Sequence, residues 1–194
     1  MYPNNPIDSR VKSERPERIV TIFGGSKCFY PDPEYVQAQR VGEMLANEGF
    51  TICTGGYLGV MEAASRGAHE VGGRVLGIVM NQFKSEPNRY LTDKVATPHF
   101  YERLQQLITR SVGFVAIRGG MGTVTELSLV WNKIQTRVIG PRPLVLLGEC
   151  WPPIVKVWQQ YLAVSEADIA VLDFAKTAEE AVAIIKEKSR GVIL

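Results

Sequence analysis

The strongest constraint on how this chain folds is a repeated alternation. Short runs of β-branched and aromatic residues, at Ile19–Phe23, 50–54, 74–80, 112–117 and Leu144–Leu147, end in glycine or polar residues, and stretches of helical periodicity follow. Repeated βα units of this kind assemble into a parallel sheet. Several runs are apolar throughout rather than at alternate positions, which fits strands covered on both faces. The expectation is an α/β fold, a doubly wound and mainly parallel sheet with helices on both faces.

The intervening stripes place Val36, Val41, Met44 and Leu45, then Met61, Ala64, Ala68 and Val71, then Leu127, Val130 and Ile134 on core-facing helix sides. A further helix is expected around Ile154, Val157, Trp158 and Leu162, a weak strand at 171–174, and a last helix over Ala178–Lys188. A length of 194 residues suits one such domain and leaves no stretch for a second. That domain is expected over 19–194. Residues 1–18 carry charges and prolines without an apolar targeting core, and read as a loose tail.

Composition narrows the partners. A net charge of +2, with no Lys/Arg tract, disfavours a nucleic-acid backbone, and no apolar run approaches the length of a membrane span. Cys28, Cys53 and Cys150 form no CxxC pair, which argues against a disulfide framework and a zinc site; a reducing compartment, the cytoplasm, is expected. His69 and His99 are isolated, so no metal is expected.

Ligands of doubly wound sheets bind where strands end and loops enter the next helix. Three such loops are glycine-rich: one holds Gly24 and Ser26, one holds Gly55 and Gly56, and one holds Gly119, Gly120, Met121, Gly122 and Thr123. All three are expected to converge on one edge. The third can aim backbone amides and a helix N-terminus at a phosphate, though glycines there could equally serve a tight turn. It matches neither GxxxxGK[ST] nor GxGxxG.

Glu126 follows Thr123 by three residues. That spacing fits a capping box in the first helical turn, and it also places a carboxylate beside a phosphate loop, where it could stabilise positive charge at a sugar carbon. Arg103, on the helix after Pro98, borders the apolar stripe of Leu104, Leu107 and Ile108. A guanidinium at a core edge needs acceptors, from either a structural carboxylate or a nucleotide.

Taken together, Tyr101-Glu102-Arg103, the run Arg118-Gly119-Gly120-Met121-Gly122-Thr123-Val124-Thr125-Glu126 and the loop from Thr54 to Met61 resemble the LOG ("lonely guy") family. These are the cytokinin riboside 5′-monophosphate phosphoribohydrolases, often labelled lysine decarboxylases. Their signature is PGGxGTxxE with an upstream arginine motif and a GGGxxGLM loop, and the similarity runs from Ile19 onward. Arg118 stands where the family has proline, Leu104 where it has lysine, and Thr54 and Glu62 alter the second loop.

The resemblance implies a Rossmann-like nucleotide-binding domain. It also implies that the glycine-loop positions, with Arg118, hold the 5′-phosphate of a nucleoside monophosphate while Arg103 and Glu126 act at the ribose and the glycosidic bond. Cleavage would release free base and ribose 5-phosphate, with no cofactor, in a homodimer. Two rivals stand beside it: a nucleotide or molybdenum-cofactor carrier of the same superfamily, and a pyridoxal-phosphate decarboxylase. The latter needs a Schiff-base lysine, and the three loops offer none.

Overall fold

The computed structural model describes residues 17–192. In chain order the elements are β1 (Ile19–Phe23), α1 (Pro33–Asn47), β2 (Thr51–Thr54), α2 (Val60–Glu70), β3 (Val75–Met80), β4 (Asp93–Thr97), α3 (Phe100–Thr109), β5 (Ser111–Ile117), α4 (Met121–Gln135), β6 (Leu144–Leu147), α5 (Trp151–Tyr161), α6 (Glu166–Ile169), β7 (Leu172–Ala175) and α7 (Ala178–Lys188). All paired strands are parallel, in the order β4-β3-β2-β1-β5-β6-β7. The chain builds outward from β1 in one direction and from β5 in the other, so the winding reverses between those two neighbours. This is the doubly wound arrangement expected from the sequence.

Two apolar layers explain why the central strands are apolar at nearly every position. Val20 and Ile22 face α1, α2 and α7, while Ile19 and Phe23 face α3, α4 and α5. Thr21, buried between them, hydrogen-bonds the Leu107 carbonyl at 2.8 Å and the Ser111 hydroxyl at 2.6 Å. A buried hydroxyl is tolerated there because its polar atoms are matched.

The helix stripes need partial correction. Val36 and Val71 are exposed, and the buried faces are Tyr35, Ala38, Val41, Gly42 and Leu45 on α1 and Val60, Ala63, Ala64, Ser65, Gly67 and Ala68 on α2. Small residues decide this, since α1 and α2 meet backbone to backbone. A Cβ on Gly42 would lie 2.1 Å from the Ala64 carbonyl oxygen, and one on Gly67 would lie 1.9 Å from that of Gln39.

The edge strand β4 was not expected, and neither was the short α6. β4 reads Asp-Lys-Val-Ala-Thr and is largely exposed, so it lacks the apolar run that marked the inner strands. Most of the expected tail, residues 1–16, lies outside the described residues. Its last two positions are held: Glu17 accepts from the Thr51 hydroxyl at 2.8 Å, and Arg18 stacks over the Phe50 ring at 4.4 Å. Among the described residues, no helix is long and apolar enough to cross a membrane.

Candidate active site

The three glycine-rich loops follow β1, β2 and β5, which are neighbours in the sheet, and they meet at its carboxyl edge as expected. They are laced together by main-chain bonds. The Gly25 amide donates to the Arg118 carbonyl at 3.1 Å, and the Val60 amide donates to the Gly25 carbonyl at 2.8 Å. Gly59, at φ +71°, lies so close that a Cβ there would sit 2.3 Å from the Gly25 oxygen, which makes glycine obligatory at this crossing.

Beside this junction opens a hollow of about 510 Å³, lined by Gly24, Ser26, Tyr57, Met61, Phe83 and Phe100 on one side and by Arg103, Gly120, Met121, Gly122, Thr123 and Glu126 on the other. α4 begins in its floor. The helix N-cap is Gly120, and no side chain caps it, so the first amides of α4 point outward with their partial positive charge uncompensated. A Cβ on Gly120 or Gly122 would meet nothing within 4 Å, so these residues border open space. Such a helix start is suited to an anion.

Arg103 and Glu126 form the polar wall of the hollow. Arg103 is buried, with 5% of its surface exposed. Its Nε donates to the Ile78 carbonyl at 3.0 Å, its Nη2 to the Gly55 carbonyl at 3.5 Å and its Nη1 to Glu126 Oε1 at 3.4 Å. The guanidinium thus joins β3, the loop after β2 and α4. Burial pushes the Glu126 carboxyl up to about 7, even though Arg103 favours its charged form. A carboxyl poised near neutrality, with an open cleft before it, is equipped for proton or charge chemistry.

The structure brings Gly24, Ser26, Arg103, Gly120, Met121, Gly122, Thr123 and Glu126 to one hollow and leaves other expected residues outside its lining. Gly55 and Gly56 are buried beneath it. Gly55 makes room for Arg103, since a Cβ there would sit 2.1 Å from Nη2. Gly119 is exposed but closely bordered on one side, where a Cβ would lie 2.1 Å from Thr123 Oγ1 and 2.7 Å from the Gly25 nitrogen. Arg118 points away and pairs with Glu34 at 2.7 Å, so its charge is spent on a carboxylate.

The capping box does not form. α4 starts three residues earlier than that motif requires, with Gly120 rather than Thr123 at the N-cap, which puts Thr123 inside the first turn and Glu126 in the second. Four contributors carried no motif: Phe83, Ser85, Phe100 and Lys27. Phe83 comes from the β3–β4 connection and rests on Tyr57 with ring centroids 5.4 Å apart. Tyr57 is itself pinned, its hydroxyl donating to the Met80 carbonyl at 3.2 Å and accepting from the Met80 amide at 2.9 Å. Lys27 immediately follows the first loop and lines the hollow, so a lysine does stand at the rim, contrary to the expectation.

Comparison with known proteins gives this arrangement a family. The chain is 31% identical over 129 residues to the cytokinin riboside 5′-monophosphate phosphoribohydrolase of Mycobacterium marinum, a match covering 63% of this chain and 67% of that one. It is 31% identical over 147 residues to the pyrimidine/purine nucleotide 5′-monophosphate nucleosidase of Escherichia coli K12, covering 67% of this chain but only 31% of that longer protein. The solved molybdenum cofactor carrier protein of Chlamydomonas reinhardtii superposes with TM-score 0.69 at 26% identity, covering 88% of this chain and 97% of the other. The model of the SLOG cluster4 family matches residues 17–182, a span holding every glycine loop together with Arg103 and Glu126. The chain therefore belongs to the SLOG cluster4 family and is a LOG-type protein.

Proposed function

We propose that this protein is a nucleoside 5′-monophosphate phosphoribohydrolase. The observation that carries the reading is the single hollow in which the uncapped start of α4 lies beside the Arg103–Glu126 pair. A 5′-phosphate on the amides of 120–123 leaves the attached ribose next to Glu126. Tyr57, Met61, Phe83 and Phe100 then offer apolar and aromatic faces to the base. The names of the mycobacterial and E. coli relatives support the same reaction class.

In this mechanism the C1′–N bond lengthens and positive charge gathers on the ribose ring. The ionised Glu126 carboxylate stabilises that charge, as carboxylates do in glycoside hydrolysis generally. Water supplies the oxygen that joins C1′, and its proton ends on the departing base. Arg103 holds the carboxylate in place, and the phosphate grip contributes remote binding energy to positioning the bond.

The products are free base and ribose 5-phosphate. Exposed Phe100, Tyr101 and Met121 beside the cleft support a homodimer whose second copy closes the site, a state that ultracentrifugation resolves.

The decisive experiment incubates the protein with a panel of nucleoside monophosphates and separates liberated base by chromatography. Release of base supports the reading. Tight nucleotide binding without release would favour a carrier, the alternative kept in view by the likeness to the Chlamydomonas carrier.

A further inference from the structure

The catalytic hollow is one of three in a row along the carboxyl edge of the sheet. It shares Gly25, Ser26, Lys27 and Gly120 with a second hollow of about 550 Å³ between the β1–α1 loop and the start of α4. The second shares Glu34 and Arg118 with a third, of about 480 Å³, over the ends of β5 and β6. The row crosses the place where the winding reverses between β1 and β5, the position at which doubly wound sheets bind ligands with two halves. Small-molecule pockets run to roughly 300–1,000 Å³. Each of the three hollows lies in that range, so the second and third are room beyond a mononucleotide held in the first.

The charges along the row are graded. Lys27 stands on the rim common to the first two hollows and has no carboxylate partner among the described residues. Past it stand two ion pairs, Arg118 with Glu34 at 2.7 Å and Lys176 with Glu149 at 3.5 Å. Asp32, in the second hollow, accepts from the Phe29 amide at 2.9 Å, and its carboxylate suits a sugar hydroxyl and repels a phosphate. One unpaired lysine among the described residues, followed by a carboxylate and two ion pairs, suits one additional phosphoryl group and then a neutral moiety bearing hydroxyls. A longer polyphosphate would meet carboxylates with no unpaired cation to offset them.

We infer that the preferred ligand is a dinucleotide bridged by a 5′,5′-diphosphate. One nucleotide occupies the catalytic hollow with its phosphate on the α4 amides, the second phosphoryl group lies against Lys27, and the second nucleoside runs along the paired charges past Arg118. The placement of the first phosphate rests on the phosphoribohydrolase reading. The bond broken remains the C1′–N bond of the first nucleotide. The oxygen of water joins C1′, its proton leaves with the base, and the diphosphate bridge stays intact.

Calorimetric titration of the Glu126→Gln protein with AMP, ADP and diadenosine 5′,5′-diphosphate tests this. The dinucleotide is expected to bind at least about tenfold more tightly than AMP, with ADP between them, and Lys27→Ala is expected to shrink the ADP-to-AMP ratio. In the wild-type protein, the dinucleotide should inhibit base release from AMP with a constant at least about tenfold below the KM for AMP. A dinucleotide that binds no more tightly than AMP overturns the inference; if AMP is still cleaved, the hydrolase reading survives alone. Tight dinucleotide binding with no base released from any nucleotide overturns the hydrolase reading instead and leaves the extended ligand standing.

Discussion

Arg103 Nη1 and Glu126 Oε1 lie 3.4 Å apart, with the two side chains only 7% and 14% exposed, so a carboxyl displaced towards neutrality faces the one guanidinium that opposes the displacement. Burial is the larger influence, and it leaves Glu126 able to change protonation state in the range where cells operate.

Glu126→Gln keeps the shape of the side chain and removes its charge. Base release is expected to fall roughly 10²–10⁴-fold, while calorimetric affinity for a nucleoside monophosphate stays within a few fold. Unchanged turnover would remove Glu126 from the mechanism.

If ionised Glu126 is the working form, kcat/KM should rise with pH through about 7 in the free protein. Stability should run the other way. The folded carboxyl holds its proton more tightly than an ordinary glutamate, so its contribution is complete below about 4.5 and is lost as pH rises through about 7. The loss is on the order of 3 kcal/mol. Urea melts of wild type and Glu126→Gln across that window should converge at its acid end and diverge at its alkaline end.

Arg103→Met removes the partner of Glu126 and three hydrogen bonds. Near pH 8 the cost should approach about 3–5 kcal/mol, because an ionised carboxylate is left buried alone. Near pH 5.5 it should be smaller, since Glu126 takes up a proton instead. Chemical denaturation at the two pH values distinguishes this from a loss of packing, which would be pH-independent.

The loop glycines should separate into two classes. Gly120→Ala and Gly122→Ala add a methyl group to open space, so both variants should melt near the wild-type temperature while weakening nucleotide monophosphate binding. Gly55→Ala drives a methyl group into the Arg103 guanidinium. Displacing that group by about 1 Å is enough to cost on the order of 10²-fold in turnover. Thermal melts paired with base-release assays check both expectations.

Much of this architecture was legible in advance because the inner strands are covered on both faces and therefore read as unbroken apolar runs. β4 was not, because it is an edge strand carrying Asp93 and Lys94 to solvent. The glycine loops declared the site, yet sequence could not distinguish glycines that border the ligand, such as Gly120, from Gly55, which accommodates another side chain. Spacing suggested that Thr123 and Glu126 cap a helix. The helix begins at Met121 instead, and that shift of three residues frees Glu126 for Arg103. Phe83 lay beyond reach because its approach to Tyr57 depends on the path of an irregular connection.

With no side chain between them at Gly42 and Gly67, α1 and α2 have no lubricating layer and cannot slide past one another. The two loops feeding those helices inherit that immobility, so the cleft is tuned by a joint that never touches a ligand. A bulky residue introduced at that joint should look, to a screen for activity, like a defect in the chemistry, and only a structural probe would trace it to the hinge that had been forced apart.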